Sequence, residues 1–248
     1  MSPGSLSARR TAIRLLEVDV ELGDGLAPEE RALAERALLV PTTTLDTGPW
    51  DPCREESRPI AGLLVLDGIL TREIVFAGRA TTELLGSGDV LHPWDDDLQF
   101  EALPFTVSWH VHATCRFALL DTRFAVAAGR WPALLGGLGS RHIRRARSLA
   151  FQRAISQLPR VDDRLLVLLW SQAERWGRVG RDGVRLPLNL PHRTLATLVG
   201  ARRPSVTTAL TGLARDGLVE RTPDGWLLHG DPSVVLPARL QTSDPALA

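Results

Sequence analysis

One stretch near the C-terminal end constrains the fold more than any other: PHRTLATLVGARRPSVTTALTGLARDGLVERTPDGWLLHG, from Pro191 to Gly230. Leu195, Leu198 and Val199 recur at the three- and four-residue spacing of one buried helix face. Gly200 breaks that pattern, and glycine tolerates the left-handed turn that closes a helix. Pro204 suits the first turn of a second helix, whose apolar positions Val206, Ala209, Leu210 and Leu213 again share one face. Gly217 stops it. Leu218 to Thr222 reads as a short strand, Pro223-Asp224-Gly225 as a turn, and Trp226 to His229 as a second strand. Helix, tight turn, helix and two-stranded wing is the plan of a winged helix-turn-helix.

The second helix leaves Arg203, Ser205, Thr207, Thr208 and Thr211 off its apolar face. A helix so furnished fits the major groove of double-stranded DNA, with its N-terminal residues against base edges. Arginine pairs with guanine O6 and N7, and threonine meets a phosphate, a base edge or a thymine methyl. Arg193 and Arg202 complete the candidate DNA-binding set. Two helices joined by a tight turn also occur in proteins that touch no DNA, so the motif needs its context.

The run TLATLVGARRPSVTTALTGLARDGLV resembles the DNA-binding segment of the Crp/Fnr family of bacterial transcription regulators, whose pattern is LAxxVGxxRxxVxxxLxxLxxxGLI. The match spans the whole motif. By this resemblance Arg203 reads a base, Ser205 takes the place of a phosphate-contacting hydroxyl, and Thr208 takes a second base-reading place. The best-known members carry an acidic residue after the arginine and a basic one later in the helix. Here Pro204 and Thr208 stand there, so the operator of those members does not transfer.

The 248 residues suffice for two modest domains. Formal net charge is zero, yet the halves differ. Up to Gly129 there are 11 Arg against 20 Asp and Glu; from Arg130 on there are 18 against 9. A basic half carrying the helix-turn-helix suits a phosphate backbone. Every basic residue is Arg and none is Lys, so part of the arginine content reflects composition bias. Cys53 and Cys115 alone exclude a disulfide framework or an all-cysteine iron–sulfur cluster. No apolar run approaches the ~18 residues of a membrane span, and the first twenty residues hold no uninterrupted apolar core. A cytoplasmic protein with no signal peptide and no membrane association is expected.

The chain divides into five expected segments: 1–40, a helical lead-in; 41–129, a sensor barrel; 130–159, a dimerisation helix; 160–233, the winged helix-turn-helix; 234–248, a polar tail that frays. Pro28 with Glu29 and Glu30 marks a helix start in the first. From Ile60 to Phe124, short apolar runs alternate with turn signals, the texture of an antiparallel barrel or jelly roll. Asp67-Gly68 reads as a hairpin turn between two of them, and Gly86-Ser87-Gly88 as a β-turn. This segment is similar to the cyclic nucleotide-binding-like sensor barrel of the same family, through Gly62–Gly68 (GLLVLDG), Gly88-Asp89 and Ala118–Asp121 (ALLD). The fold class is therefore α+β: a cupin-like antiparallel barrel, a long helix, and a C-terminal winged helix-turn-helix.

The sensor pocket departs from the family. Cyclic-nucleotide binders carry a Gly-Glu pair for the ribose and a following arginine for the phosphate. Here no Gly-Glu pair follows Gly88-Asp89, no arginine lies between Arg79 and Arg116, and Asp95, Asp96 and Asp97 fall where an anion needs positive charge. The sequence argues against cAMP or cGMP bound in the usual mode, and no cofactor is implied. His110 and His112 share one face of a strand, with His92, Asp95 and Cys115 nearby in sequence, but no ligand spacing supports a metal. A metal-dependent cupin-type enzyme would need that site; no catalytic residues are assigned.

The long helix is expected to start near Ser140, after Gly136, Gly137 and Gly139. Ile143, Ala146, Ala150, Ala154 and Leu158 form a stripe along it, widened by Phe151 and Ile155, and small alanines let two helices approach closely. In the family this helix pairs with its two-fold mate. A homodimer would present two recognition helices to successive major-groove faces about 34 Å apart. Arg141, Arg144, Arg145 and Arg147 read as a solvated face, Leu158-Pro159 as the hinge, and Arg164 to Trp176 as an amphipathic helix with Leu165, Leu168, Leu169 and Ala173 inward. The reading is a dimeric, sequence-specific DNA-binding transcription regulator whose effector is not cAMP, meeting RNA polymerase if it activates. The alternatives are a constitutive DNA-binding protein with a ligand-free barrel and, with less support, the cupin-type enzyme.

Overall fold

The computed structural model describes residues 4–7, 10–94 and 103–243. The chain divides into two compact units, Met1–Arg147 and Ser148–Ala248.

The first unit is built on antiparallel strands: β1 (Thr11–Arg14), β2 (Leu39–Leu45), β3 (Gly48–Trp50), β4 (Leu63–Phe76), β5 (Arg79–Gly86), β6 (Val90–Leu91) and β7 (Phe105–Leu119). Their order is β1-β2-β7-β4-β5, with β3 added on β7 and β6 on β4. No described pairing joins β1 to β5, so the sheet curls without closing into a complete barrel. Alternation along β7 sends Trp109, Val111, Cys115, Phe117 and Leu119 into a core with Leu45, Trp50, Leu63, Val65 and Leu70. Each such side chain contributes roughly 1.5–3 kcal/mol when fully buried. Behind the sheet lie the helices α1 (Leu15–Val18), α2 (Pro28–Ala37) and α3 (Thr122–Ala128). They bury Leu15, Leu16, Ala34 and Phe124 against Leu64, Val90 and Ala118 of the strands. Residues 11–14, expected in a helical lead-in, are thus an edge strand paired through Ile13 to Val40.

Asp67-Gly68 is not a hairpin turn. It lies inside β4, where the register against β7 shifts between Asp67 and Ile69. Gly68 has φ +99, and a Cβ there would stand 2.5 Å from the Thr114 carbonyl oxygen and 2.6 Å from Cys115 Cα. The glycine serves a bulge that bends a long strand rather than a turn that ends one. The hairpin turn is Ala77-Gly78, ten residues further on.

Helix α4 runs Pro132–Gln157, so it begins well before Ser140 and crosses from the first unit into the second. Pro132 supplies the first-turn signal instead, and the glycines lie within the helix. Each costs ~1 kcal/mol against alanine in an exposed helix. Burial of Leu134 and Leu138 offsets that cost, and at Gly137 a Cβ would press to 3.1 Å of Leu22.

The second unit holds α5 (Val161–Trp176), β8 (Arg178–Val179), β9 (Val184–Leu186), α6 (His192–Leu198), α7 (Arg203–Arg215), β10 (Val219–Thr222), β11 (Gly225–Leu228) and α8 (Pro232–Ser243). The strands form one antiparallel sheet, β10-β11-β9-β8. Leu165, Leu168, Leu169 and Ala173 of α5 are buried, as are Leu166, Val167 and Trp170, so this helix is the central beam of the unit. The expected polar tail is instead α8, despite Pro237 inside it. Arg239 holds it, donating to Asp163 Oδ1 at 2.8 Å and Asp162 Oδ2 at 2.5 Å on α5, and to Asp216 Oδ2 at 3.4 Å beyond α7. These partners lie 76, 77 and 23 residues away in sequence, beyond the reach of local periodicity.

Candidate nucleic-acid interface

Helix α6 buries Leu195, Ala196 and Leu198, and ends in Val199 and Gly200. Gly200 has φ +62, and the Ala201 amide donates back to the Ala196 carbonyl at 2.8 Å, closing the helix with a left-handed cap. Two residues later Arg202, in extended conformation, caps α7 without a side-chain hydrogen bond, and Pro204 occupies the first turn. Val206, Leu210 and Leu213 are buried while Ala209 is half-buried. Arg202, Arg203, Ser205, Thr207, Thr208 and Thr211 are all exposed, as is Arg193 on α6. One local sequence therefore brings the whole candidate set onto the N-terminal part of α7 and the neighbouring start of α6.

Within the set, Thr207 differs from its neighbours. Its Oγ1 lies 2.9 Å from His192 Nδ1 and donates to the Arg203 carbonyl at 3.3 Å, so this hydroxyl ties the start of α6 to α7. Among the described residues, the hydroxyls of Ser205 and Thr208 have no such partner. Nor does any described carboxylate pair with Arg193, Arg202 or Arg203. The first turn of α7 holds no acidic residue, whereas α2 carries Glu29 and Glu30 and α5 carries Asp162 and Asp163 there. A helix N-terminus carries partial positive charge, and arginines placed around it cost roughly 0.3–1 kcal/mol each unless an anion joins them. Among the described residues, nothing neutralises the positive charge gathered at this helix start.

The wing is the β10–β11 hairpin. Its turn sets Arg221 opposite Trp226, and the guanidinium stacks 4.5 Å from the indole centroid while donating to Asn189 Oδ1. Burial pulls the Arg221 pKa below its ordinary value. Arg221 carries no periodic signal of its own, although the Pro223-Asp224 turn fixes the register that pairs it with a tryptophan. Arg164 and Gln152 are equally silent in the sequence. No periodic signal marks either one, because both act on backbone carbonyls of another element.

The other candidate groups are arranged differently. His110 and His112 lie side by side on β7 with ring centroids 4.8 Å apart. His112 Nε2 meets Thr71 Oγ1 at 2.9 Å, and burial, with the neighbouring His110, drops its pKa to about 4. Cys115 faces the core, where burial, with Asp67 nearby, pushes its thiol up to about 12 and Sγ donates to the Ala113 carbonyl. His92 stands near His142 and Trp94 instead. Among the described residues no three His, Cys, Asp or Glu side chains converge as a metal site. Asp95, Asp96 and Asp97 lie outside the described residues.

Of the arginines in the middle of α4, Arg144 and Arg147 are exposed, but Arg141 and Arg145 do not belong to a solvated face. Arg141 is buried, with 2% of its side chain exposed, and donates to Asp19 Oδ1 at 2.6 Å and to the Gly88 carbonyl at 2.9 Å. Arg145 holds both carboxylate oxygens of buried Glu83, at 2.5 and 2.8 Å, and Arg72 approaches the same carboxylate at 3.6 Å. Arg144 pairs with Glu21 at 2.7 Å and lowers that carboxyl's pKa. Helical spacing cannot tell a solvated arginine from one whose carboxylate lies 62 residues upstream.

Residues 163–231 match the family of Crp-like helix-turn-helix domains. Among solved structures, the fold is similar to a CooA mutant from Carboxydothermus hydrogenoformans, with 16% identity, 97% of this chain and 98% of that chain covered, and a TM-score of 0.60. It is similar to FixK2 from Bradyrhizobium japonicum at 15% identity, 84% and 98% coverage and a TM-score of 0.57. It is also similar to the regulator CLP from Xanthomonas campestris at 21% identity, 77% and 94% coverage and a TM-score of 0.51. No curated protein matches the chain in sequence. The fold is an antiparallel sheet joined by a long helix to a winged helix-turn-helix. Residues 163–231 thus form a Crp-like helix-turn-helix domain, and the chain shares its fold with the CooA mutant and FixK2. No helix among the described residues is long and apolar enough to cross a membrane.

Proposed function

We propose that the protein is a dimeric, sequence-specific, cytoplasmic transcription regulator that reads double-stranded DNA with α7. The observation that carries this is the exposed cluster of Arg203, Ser205 and Thr208, with no competing carboxylate among the described residues, at a helix N-terminus without acids. Arg203 and Thr208 read base edges. Ser205, Arg193 and Arg202 hold phosphates, and Thr207 contributes chiefly by locking α6 to α7 through His192. The dimer reading is supported by α4. Ile143 is 55% exposed, Ala146, Ala150 and Ala154 are exposed beside it, and Phe151 is 50% exposed, while Leu158 is half-buried. An apolar stripe left in water along a long helix favours a second copy of that helix.

cAMP is not the effector in this reading, since the family's Gly-Glu pair and phosphate arginine are absent from the sequence. One observation favours constitutive binding as the second reading: Arg145 and Arg141 are already satisfied by Glu83 and Asp19 within the unit. Activation, if it occurs, would add RNA polymerase as a partner.

The test is selection from a random duplex pool, followed by affinity on the winner and on scrambled DNA at two salt concentrations. A palindromic winner bound about 10³-fold more tightly establishes a dimeric reader. Weak binding equal on all sequences and steep in salt would sink the specific reading. Adding candidate small molecules to the same assay separates regulated from constitutive binding.

A further inference from the structure

The carbonyls that end a helix have no partner inside it. At the end of α6, three of them are taken by side chains from other helices. Gln152 of α4 donates its Nε2 to the Leu198 carbonyl at 3.1 Å. Arg164 of α5 donates its Nη1 to the carbonyls of Val199 at 3.3 Å and Gly200 at 3.2 Å. The same guanidinium turns its Nε to the Leu158 carbonyl, just past the end of α4, at 2.6 Å. The turn is also packed from this side: a Cβ on Gly200 would lie 3.6 Å from Ser156 Cβ, and Ile155 is buried. All these residues belong to the second unit, which takes in the last ten residues of α4, from Ser148 to Gln157. Helix α7 begins three residues beyond Gly200.

We infer that Arg164 and Gln152 are positioning residues for DNA recognition, fixing the direction of α7 by holding the end of α6 against the end of α4. The inference rests on the reading of α7 as the DNA-reading helix. Neither residue needs to touch DNA. A planar guanidinium with several fixed donors suits the task, since one side chain can bridge two helix ends. The link at Leu158-Pro159 is then no free hinge. The helix-turn-helix moves with the last turns of α4, so a rotation of that helix is delivered to α7 undiminished.

The experiment uses the full chain and the operator selected by the wild-type protein. Arg164→Ala, Arg164→Lys and Gln152→Leu are compared for folding by thermal melting, for affinity on operator and scrambled DNA, and for the salt slope. Arg164→Ala is expected to lose about tenfold on the operator, the scale on which residues that act without touching ligand operate. Binding to scrambled DNA and the salt slope should stay as they were, and Arg164→Lys should recover part of the loss. Gln152→Leu should show a smaller loss of the same kind, which keeps the test decisive if Arg164→Ala melts too low. Wild-type affinity in both variants overturns the inference. So does a slope reduced by about one, which would make Arg164 a phosphate contact, and so does a loss that merely tracks the unfolded fraction. If the wild-type protein itself shows no sequence preference, the DNA reading falls and takes this inference with it. Preference in the wild type with unaffected variants sinks the inference alone.

Discussion

Two groups of arginines in this chain look alike in sequence and differ in what surrounds them. Arg141, Arg144 and Arg145 stand on a polar run of α4 and are spent on carboxylates of their own unit, Asp19, Glu21 and Glu83. Arg193, Arg202 and Arg203 stand at the starts of α6 and α7, exposed, with no described carboxylate in reach. The first group closes the structure; the second leaves it open toward an anion. An arginine's function therefore follows from whether the fold supplies its counter-charge, and that is a question about residues far away in sequence.

Breaking the first group should cost stability and breaking the second should cost binding. Arg145→Ala takes from Glu83, 7% exposed, its two short contacts and leaves it the longer one to Arg72. Removing one member of a buried pair typically costs ~3–5 kcal/mol, so a drop of about 3 kcal/mol is expected in urea or thermal unfolding. A change under about 0.5 kcal/mol would mean that Glu83 is satisfied without Arg145. Arg203→Ala is the converse. It should lose roughly 1–3 kcal/mol on the selected operator and little on scrambled DNA. Its melting should change by no more than about 0.5 kcal/mol, since the side chain is exposed. Equal loss on all DNA would demote Arg203 to a phosphate contact.

The helix-turn-helix was legible in the sequence because every device that builds it is local. Leu195 and Leu198, Gly200, Pro204, Val206 and Leu210 each act within a few residues, and the observed helices start and stop within a residue or two of the expected places. The sheet was legible as a class but not in its details. Asp67-Gly68 carries the same dipeptide signal as a hairpin, and only the close approach of Thr114 and Cys115 from β7 makes it a bulge. Helix α8 and the buried arginines of α4 are not legible in the sequence for one shared reason: Arg239, Arg141 and Arg145 find their carboxylates 76, 122 and 62 residues away. The same limit hid Arg164, whose partners are backbone carbonyls with no sequence signature at all.

The histidine pair sharpens the contrast from another direction, because His112 is a group the fold keeps uncharged. Its pKa is lowered to about 4, chiefly by burial and further by His110, against an ordinary value of 6.5. The folded state therefore resists a proton that the unfolded chain accepts below 6.5. Stability should fall as pH drops from about 6.5 toward 4, and become flat again below that, as far as this group is concerned. The ring is only partly buried, so solvent screening holds the loss to the order of 1 kcal/mol rather than the full linkage value. Measuring unfolding in urea at pH 7 and pH 5, His112→Gln should show a smaller difference between the two than the wild type. An identical difference would place the acid sensitivity elsewhere.

The smallest expected effect tests the backbone rather than a charge. Ala77 has φ +50 in the Ala77-Gly78 turn between β4 and β5, a left-handed conformation in which a Cβ crowds the following carbonyl at a cost of roughly 1–2 kcal/mol. Glycine removes that crowding but gains freedom in the unfolded chain, which returns roughly 0.4–1 kcal/mol. The two terms oppose each other, and the steric one is the larger. Ala77→Gly should stabilise the first unit by about 0.5 kcal/mol and leave operator affinity unchanged. Ala77→Val should destabilise it, because a branched Cβ meets the same backbone with more bulk. If Ala77→Gly lowers the melting temperature instead, the turn holds its left-handed residue at no cost, and the strain assigned to it is absent.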